Sequence, residues 1–389
     1  MNIAINALTI RKGGSVTTLQ KLLGGFLEIG EDHQYQLIAN GALRDAGLPR
    51  DQKVHYHYFA WAEHRRLLTV LWYLIVLPAW LRRNRIDVLF SHTCYLPFFG
   101  TTPCALLVQD AGFFADRPDN TSPLLSRTSL AWRRRWAHYS VRIADNIAVQ
   151  TQTLADWIIA RIPEASPRLK VIRHGPGFLA APCETVPRVF VSGQTLEIIC
   201  IGYFRDYKNF SVLLPALHYL RNRNIRARLH LTLNAHEPGV INLVREAEVL
   251  GVTDMLVNHG ELDTAGVTRL YRAAHLCVFP SVYESFGFPQ VEAMAFGLQV
   301  IAADTPVSRE VCQNAAVYFP PHDASALADL ISHFYFNPAQ RQGAADVSLR
   351  RAADFDWLRA AQETLLWLQS DIETSNPPHN TKPSARGTL

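Results

Sequence analysis

The sequence predicts an α/β chain of two doubly wound parallel-sheet domains. Two observations carry this. Short apolar runs of strand composition alternate with segments of helical spacing along both halves, the order that gives parallel sheets covered by helices. Between Pro176 and Gln194 the chain has three prolines, two glycines and no apolar period, and a buried-type strand, LEIICIG, then restarts the pattern. At 389 residues there is room for two domains of ordinary size.

Taken in order, residues 2–8 read as a strand, broken by Arg11-Lys12-Gly13-Gly14-Ser15. Val16, Leu19, Leu22, Leu23 and Phe26 then recur at helical spacing. Strand, glycine turn and helix form a phosphate-facing layout, because glycine lets backbone amides approach a ligand; a lone Gly-Gly is equally a tight turn. Further strands are expected at 34–39, 53–59, 86–91 and 104–108. His92 and Gln109 follow the last two at the strand edge where ligands bind in such sheets. His92 there is a ligand contact or a structural histidine.

Residues 67–81 are apolar, but 15 residues fall short of the roughly 20 that span a bilayer. Arg65, Arg66, Arg82 and Arg83 bracket this run and Pro78 interrupts it. It reads as a core helix or as a helix lying on anionic lipid. The helical stretch 124–143 carries Arg127, Arg133, Arg134, Arg135 and Arg142. That is a solvated face, or a basic surface for anionic lipid or a diphosphate-linked acceptor. The expected divisions are a first domain over 1–176, a linker over 177–195 and a second domain over 196–352. A terminal helix over 353–370 and a disordered polar tail over 371–389 complete the chain.

Composition narrows the function. Forty-eight per cent hydrophobic residues with 19 per cent charged describe a globular protein. A net charge of +4 suits anionic small ligands and is too weak to argue for nucleic acid. The six cysteines are scattered without a CxxC pair, which reads as free thiols in a reducing compartment. The N-terminus has no basic-then-apolar leader pattern. The expected location is cytoplasmic, with peripheral contact on the inner membrane face as its variant.

The densest chemistry lies in 279–312, FPSVYESFGFPQVEAMAFGLQVIAADTPVSREVC. Here a strand end leads through a glycine-bearing loop into a helix opened by Pro289. A helix N-terminus offers unpaired N–H donors and about half a positive charge to a phosphate. Glu284 and Glu292 flank it, and a carboxylate can accept two hydrogen bonds from a vicinal diol. Phosphate donors and diol acceptors within nine residues suggest a sugar nucleotide.

This run resembles the Glu-x7-Glu motif of retaining glycosyltransferases of family 4, which have the GT-B fold of two Rossmann-like domains facing a cleft. The matching residues are Pro280-Ser281, Glu284, Phe286-Gly287-Phe288-Pro289 and Glu292-Ala293-Met294-Ala295-Phe296-Gly297. The resemblance implies that Glu292 holds the nucleotide ribose and that Glu284 lies near the donor sugar. The backbone around Ser285, Phe286 and Gly287 would face the donor, with Ser285 where the family commonly has glycine. Gly13 and Gly14 would close over the phosphates or the sugar. Lys208 falls at the family's distance after Gly202 and would neutralise the diphosphate. The family's arginine directly after that glycine is Tyr203 here, and Arg205 stands two residues on as its substitute. Gln109 occupies a position where relatives often carry a histidine contacting the sugar; an amide cannot carry a proton. His174 stands where Asn is commoner and is a cleft candidate. Glu310 matches a frequent family glutamate, structural or ribose-proximal.

The function expected from these residues is retaining transfer of a hexose from a GDP- or UDP-sugar to the hydroxyl of a glycan or lipid-linked glycan acceptor, in cell-surface polysaccharide synthesis. No metal or other cofactor is expected beyond the sugar nucleotide, since Lys208, Arg205 and helix N-termini supply the charge. Two other classes remain: a non-catalytic GT-B scaffold subunit, and a GT-B sugar-nucleotide epimerase or phosphorylase. The first does not need Glu284, Glu292 and Lys208. The second needs paired acid–base carboxylates or a cofactor lysine, for which no placement is evident.

Overall fold

The structure, a computed structural model, describes residues 1–11, 13–63, 65–115, 124–177 and 193–375. Most of the expected linker, and the tail beyond Ser375, lie outside those residues. The first domain holds strands β1 (Asn2–Asn6), β2 (Gln34–Ala39), β3 (Val54–Tyr58), β4 (Val88–Ser91), β5 (Cys104–Leu107), β6 (Asn146–Val149) and β7 (Leu169–Val171). They form one parallel sheet in the order β3-β2-β1-β4-β5-β6-β7. Its helices are α1 (Gly14–Ile29), α2 (Arg66–Leu71), α3 (Leu77–Arg83), α4 (Leu124–Ile143) and α5 (Gln152–Arg161).

The second domain repeats the plan with β8 (Leu196–Cys200), β9 (Ala227–Leu231), β10 (Leu256–Asn258), β11 (Leu276–Phe279), β12 (Gln299–Ala303) and β13 (Ala316–Phe319). Their order is β10-β9-β8-β11-β12-β13, again all parallel. Its helices are α6 (Leu213–Asn222), α7 (Pro238–Val249), α8 (Thr264–Ala273), α9 (Phe288–Ala295), α10 (Pro306–Cys312), α11 (Ala324–Phe336) and α12 (Pro338–Ala352). Strands β11 and β12 are buried along their whole length, as expected where helices cover both faces of a parallel sheet.

Both sheets reverse strand order beside their first strand, between β1 and β4 and between β8 and β11. The crevice at the carboxyl ends of such strands is where ligands bind in open α/β sheets. Four loops therefore converge by topology: those after β1, β4, β8 and β11. They carry Gly13 and Gly14, His92, Lys208, and Glu284 with Gly287.

The last helix, α13 (Trp357–Ser375), returns to the first domain. Ala360, Ala361, Leu365 and Leu368 share a buried cluster with Leu19, Leu22, Leu23 and Phe26 of α1. The expected helical span of 353–370 is thus corrected to Trp357–Ser375, and the rest of the expected tail, 376–389, lies outside the described residues. The polar last turn, DIETS, has no apolar period, but extending an existing helix needs only its next backbone bond.

The run 67–81 is neither a plain core helix nor a plain surface helix. Helix α2 passes through a wide π-helical turn over Trp72–Val76 into α3. Trp72, Tyr73, Leu77 and Leu81 are buried, while Leu67 and Ile75 are 82 and 60 per cent exposed. No helix among the described residues is long and apolar enough to cross a membrane.

A carboxylate clasps the two domains. Glu310 of α10 accepts from the backbone N–H groups of Gln152 (2.6 Å) and Thr153 (2.8 Å), and from the Thr153 hydroxyl (2.7 Å). These are orphan donors at the start of α5, and a carboxylate there also meets the helix dipole. Of the two roles its family match left open, the structure gives Glu310 the structural one. Glu310→Ala is expected to lower stability by about 1–2 kcal/mol, the cost of losing a helix cap. Chemical denaturation checks this, and small-angle scattering should show a more open pair of domains.

Candidate active site

The second domain contributes the charged half of the cleft. After β8 the chain makes a tight turn over Asp206–Lys208 and leaves it through Asn209, whose φ is 54°. Asparagine tolerates that left-handed conformation, and its amide donates to the Pro280 carbonyl at 3.2 Å. The Val282 N–H bonds the Tyr207 carbonyl at 2.8 Å. The loops after β8 and β11 are thereby fixed to each other. Lys208 points inward with its Nζ 2.5 Å from Glu284 Oε1, and the two side chains are 9 and 13 per cent exposed. Burial alone would lower the lysine pKa, but the Glu284 charge and hydrogen bond reverse this and hold it above its usual value. The rings of Tyr203, Tyr207 and Phe279 surround the ammonium at 5.5, 5.6 and 5.7 Å, within cation–π range.

Arg205 lies at the rim, its guanidinium 5.0 Å from the Tyr203 ring and 4.0 Å from Glu237. The two cations expected from the sequence thus flank one aromatic ring. The Tyr203 hydroxyl meets that of Tyr207 at 3.1 Å, and Tyr207 stacks on Tyr283 at 4.5 Å.

Beyond Glu284, α9 begins at Phe288 with Pro289 in its first turn. The preceding Gly287 has φ 87°, and a Cβ there would press on the Gln290 amide and the Phe279 ring, so this position requires glycine. Phe286 turns its side chain into the core against Phe288 and Phe355. Its neighbour Ser285 offers its carbonyl to the Thr151 hydroxyl of the first domain at 2.9 Å. Glu292, one turn into α9, is 1 per cent exposed. Tyr271 donates to its Oε2 at 2.7 Å, and burial followed by the Glu292 charge keeps that phenol protonated. Gly177 lies against Oε1, where a Cβ would collide with it.

The first domain closes the cleft. Gly13 has φ 78°, and its Cβ position lies 3.6 Å from the Tyr203 ring; that of Gly14 lies 3.0 Å from Phe288. His174 is buried beside Trp357 (5.0 Å), Phe286 and Phe288. Burial and the neighbouring His92 pull its pKa down to about 3, so its ring is neutral. His92 is equally buried, and burial pulls it down to about 4. Gln109 bonds its Nδ1 at 2.8 Å.

The structure therefore joins Lys208 to Glu284, brings Arg205 to the same ring, and seats Glu292, Gly287 and Ser285 on one loop and helix. Gly13 and Gly14 face them, and His174 packs behind. Phe286 is a core side chain whose backbone alone belongs to the loop. Sequence reasoning did not identify Thr151, Tyr207, Tyr271 or Tyr283. Thr151 and Tyr271 meet partners 134 and 21 residues away, and Tyr207 and Tyr283 stack on each other from different loops, so no local spacing marks them. Tyr203 was visible as a departure from the family pattern. Chemically, the arrangement offers an enclosed cation and the N–H groups of a helix start to an anion, and two carboxylates, Glu284 and Glu292, to hydroxyl donors.

Residues 187–346 match the family model described as Glycosyl transferases group 1. A curated relative, the D-inositol 3-phosphate glycosyltransferase of Streptosporangium roseum, is 26% identical over 72% of this chain. The chain spans 64% of that relative's length. Among solved structures, the sucrose-phosphate synthase of Thermosynechococcus elongatus superposes with a TM-score of 0.74 at 17% identity, over 95% of this chain and 99% of that one. Anabaena HepE, solved in complex with UDP and glucose, gives 0.71 at 18%, over 95% and 100%. The fold is GT-B: two Rossmann-like domains with parallel sheets facing a cleft.

Proposed function

We propose that this chain is a retaining glycosyltransferase that moves a hexose from a nucleoside-diphosphate sugar to an acceptor hydroxyl in cell-surface glycan synthesis. The observation that carries it is the buried Lys208–Glu284 pair beside the start of α9, with Glu292 one turn further on. The group 1 match over these same residues supports it, as do the similarity to a D-inositol 3-phosphate glycosyltransferase and the fold shared with HepE, which was solved with UDP and glucose.

In this reading the diphosphate engages Lys208 Nζ, Arg205 and the N–H groups before α9. The gain in rate comes from charge stabilisation of the leaving group and from positioning. The acceptor oxygen bonds the anomeric carbon on the face from which the diphosphate departs. The bond from that carbon to the phosphate oxygen breaks, and a departing phosphate oxygen takes the hydroxyl proton. Protein cations do the work that a divalent metal would otherwise do.

Thermal unfolding with UDP, GDP and ADP tests the donor site. A nucleotide present at about 100 times its dissociation constant should stabilise the fold by roughly 2.7 kcal/mol, and the nucleotide that does so identifies the base. Absence of any shift would refute the reading. A glycosidic product of inverted anomeric configuration would refute the retaining course.

The acceptor side of this proposal includes an anionic membrane surface. Leu67, Ile75 and Phe99 are 82, 60 and 70 per cent exposed on the first domain, and α3 ends in Arg82 and Arg83. Exposed apolar side chains together with cations on the same domain suit an interfacial element. The protein is expected to sediment with phosphatidylglycerol vesicles and not with phosphatidylcholine ones. The double variant Leu67→Ser/Ile75→Ser should bind about tenfold more weakly, or about 1.4 kcal/mol. Equal sedimentation with both lipids would remove the membrane from the proposal.

A further inference from the structure

We propose that His92, held by Gln109 in a single tautomer, donates an Nε2–H hydrogen bond to a hydroxyl of the transferred sugar. This rests on the donor-site reading above and adds a residue that fixes the sugar. Gln109 Nε2 lies 2.8 Å from His92 Nδ1 and 3.4 Å from the His92 carbonyl oxygen. A carbonyl only accepts, so the NH2 end of the amide faces His92. Nδ1 is then the acceptor of an amide N–H. The proton of the neutral ring is left on Nε2.

That Nε2 is buried and has no hydrogen-bond partner among the described residues. A buried N–H without an acceptor is a cost the fold bears, and in a cleft it points to a ligand that accepts. Its surroundings agree. His92 follows β4 and Gln109 follows β5, at the carboxyl edge of the central strands. The His92 N–H donates to the Asn6 carbonyl at 3.0 Å. The Asn6 amide is itself held by Tyr73 Oη (2.9 Å) and Ser91 Oγ (3.1 Å). The imidazole is thus fixed through its backbone and through Nδ1, with Nε2 as its one uncommitted polar atom. Burial keeps the ring neutral at physiological pH, which suits a donor that must not add charge beside a departing diphosphate. Gln109 acts through His92 and is a positioning residue. An amide cannot titrate, so the tautomer it imposes does not change with pH.

The tests separate this claim from the donor site itself. In the 15N-labelled full chain, long-range proton–nitrogen spectra should show the His92 ring with its proton on Nε2. The signal is assigned by its disappearance in His92→Phe. Gln109→Glu offers a carboxylate that accepts from Nδ1–H, and should move the proton to Nδ1 without removing the ring. UDP or GDP alone should stabilise the native chain and both variants equally. The additional affinity for UDP-glucose or GDP-mannose over the bare nucleotide should fall at least tenfold in His92→Phe and in Gln109→Glu alike. A His92 proton on Nδ1 in the native chain, or an undiminished sugar increment in His92→Phe, overturns the proposal while leaving the nucleotide site standing. Failure of every nucleotide to bind any of the three proteins overturns both.

Discussion

Lys208→Met is expected to abolish nucleoside-diphosphate binding and also to lower stability by about 3 kcal/mol. Both effects follow from one geometry. Lys208 and Glu284 are nearly enclosed and lie 2.5 Å apart, so removing the cation leaves a carboxylate with little water to replace it. Breaking one side of a buried pair costs about 3–5 kcal/mol, whereas replacing both partners is often close to neutral. Glu284 keeps some exposure, which places the cost at the low end of that range. The double variant Lys208→Met/Glu284→Gln should therefore recover most of the stability and none of the nucleotide binding. Denaturant titration with and without nucleotide separates the two outcomes. If the double variant were as unstable as the single one, the pair would not be the cause. If either variant bound nucleotide normally, the phosphate site would lie elsewhere.

The pH behaviour of this pair has a definite sign. The folded-state lysine is held above its ordinary value. Its contribution is therefore complete below the unfolded lysine pKa and is lost as pH rises through the folded one. The loss falls in the alkaline range above about 10.5, so binding through Lys208 should not change between pH 6 and 9.

How far these features could be read from the chain depends on the distance over which each is encoded. The fold was legible because strand composition and helical spacing are local, and their alternation leaves few topologies once crossovers are right-handed. The crevice follows from that order, which is why Gly13, His92, Lys208 and Gly287 could be assigned to strand ends before any contact was known. Glu284 and Glu292 were visible for a similar reason, since one loop and one helical turn hold both. Their partners were not. Nothing in 200–210 announces that Lys208 meets a glutamate 76 residues on. Gln109 and His92 read separately as a lost histidine and an unexplained one, and only adjacent strands reveal them as a pair. The end of α13 was placed five residues short, because DIETS carries no apolar period to extend the helical reading. The run 67–81 posed a choice between core and surface, and the π-helical turn gives it one face of each.

Glu292→Ala is expected to weaken nucleotide binding at least 100-fold, or about 2.7 kcal/mol, with graded neighbours that identify the cause. The carboxylate is almost completely enclosed, and Tyr271 spends its hydroxyl on Oε2 at 2.7 Å. That bond orients the group, so that Oε1, beside Gly177, faces the end of the first domain. A hydrogen bond to a charged group contributes about 1.5–3 kcal/mol, and a carboxylate accepting two hydroxyls of a ribose makes two. Glu292→Gln keeps one acceptor oxygen and loses the charge, so a loss of about tenfold is expected. Tyr271→Phe keeps the charge but releases its orientation, and about tenfold is again expected. Gly177→Ala should resemble Glu292→Ala, because the new methyl would occupy the space of Oε1. Calorimetric titration with the nucleotide found by thermal unfolding gives all four values. A Glu292→Ala protein binding as well as the native chain would move the ribose away from α9. A Tyr271→Phe loss as large as that of Glu292→Ala would mean that the carboxylate is useful only when held by the phenol, making Tyr271 as necessary to the site as the glutamate it orients.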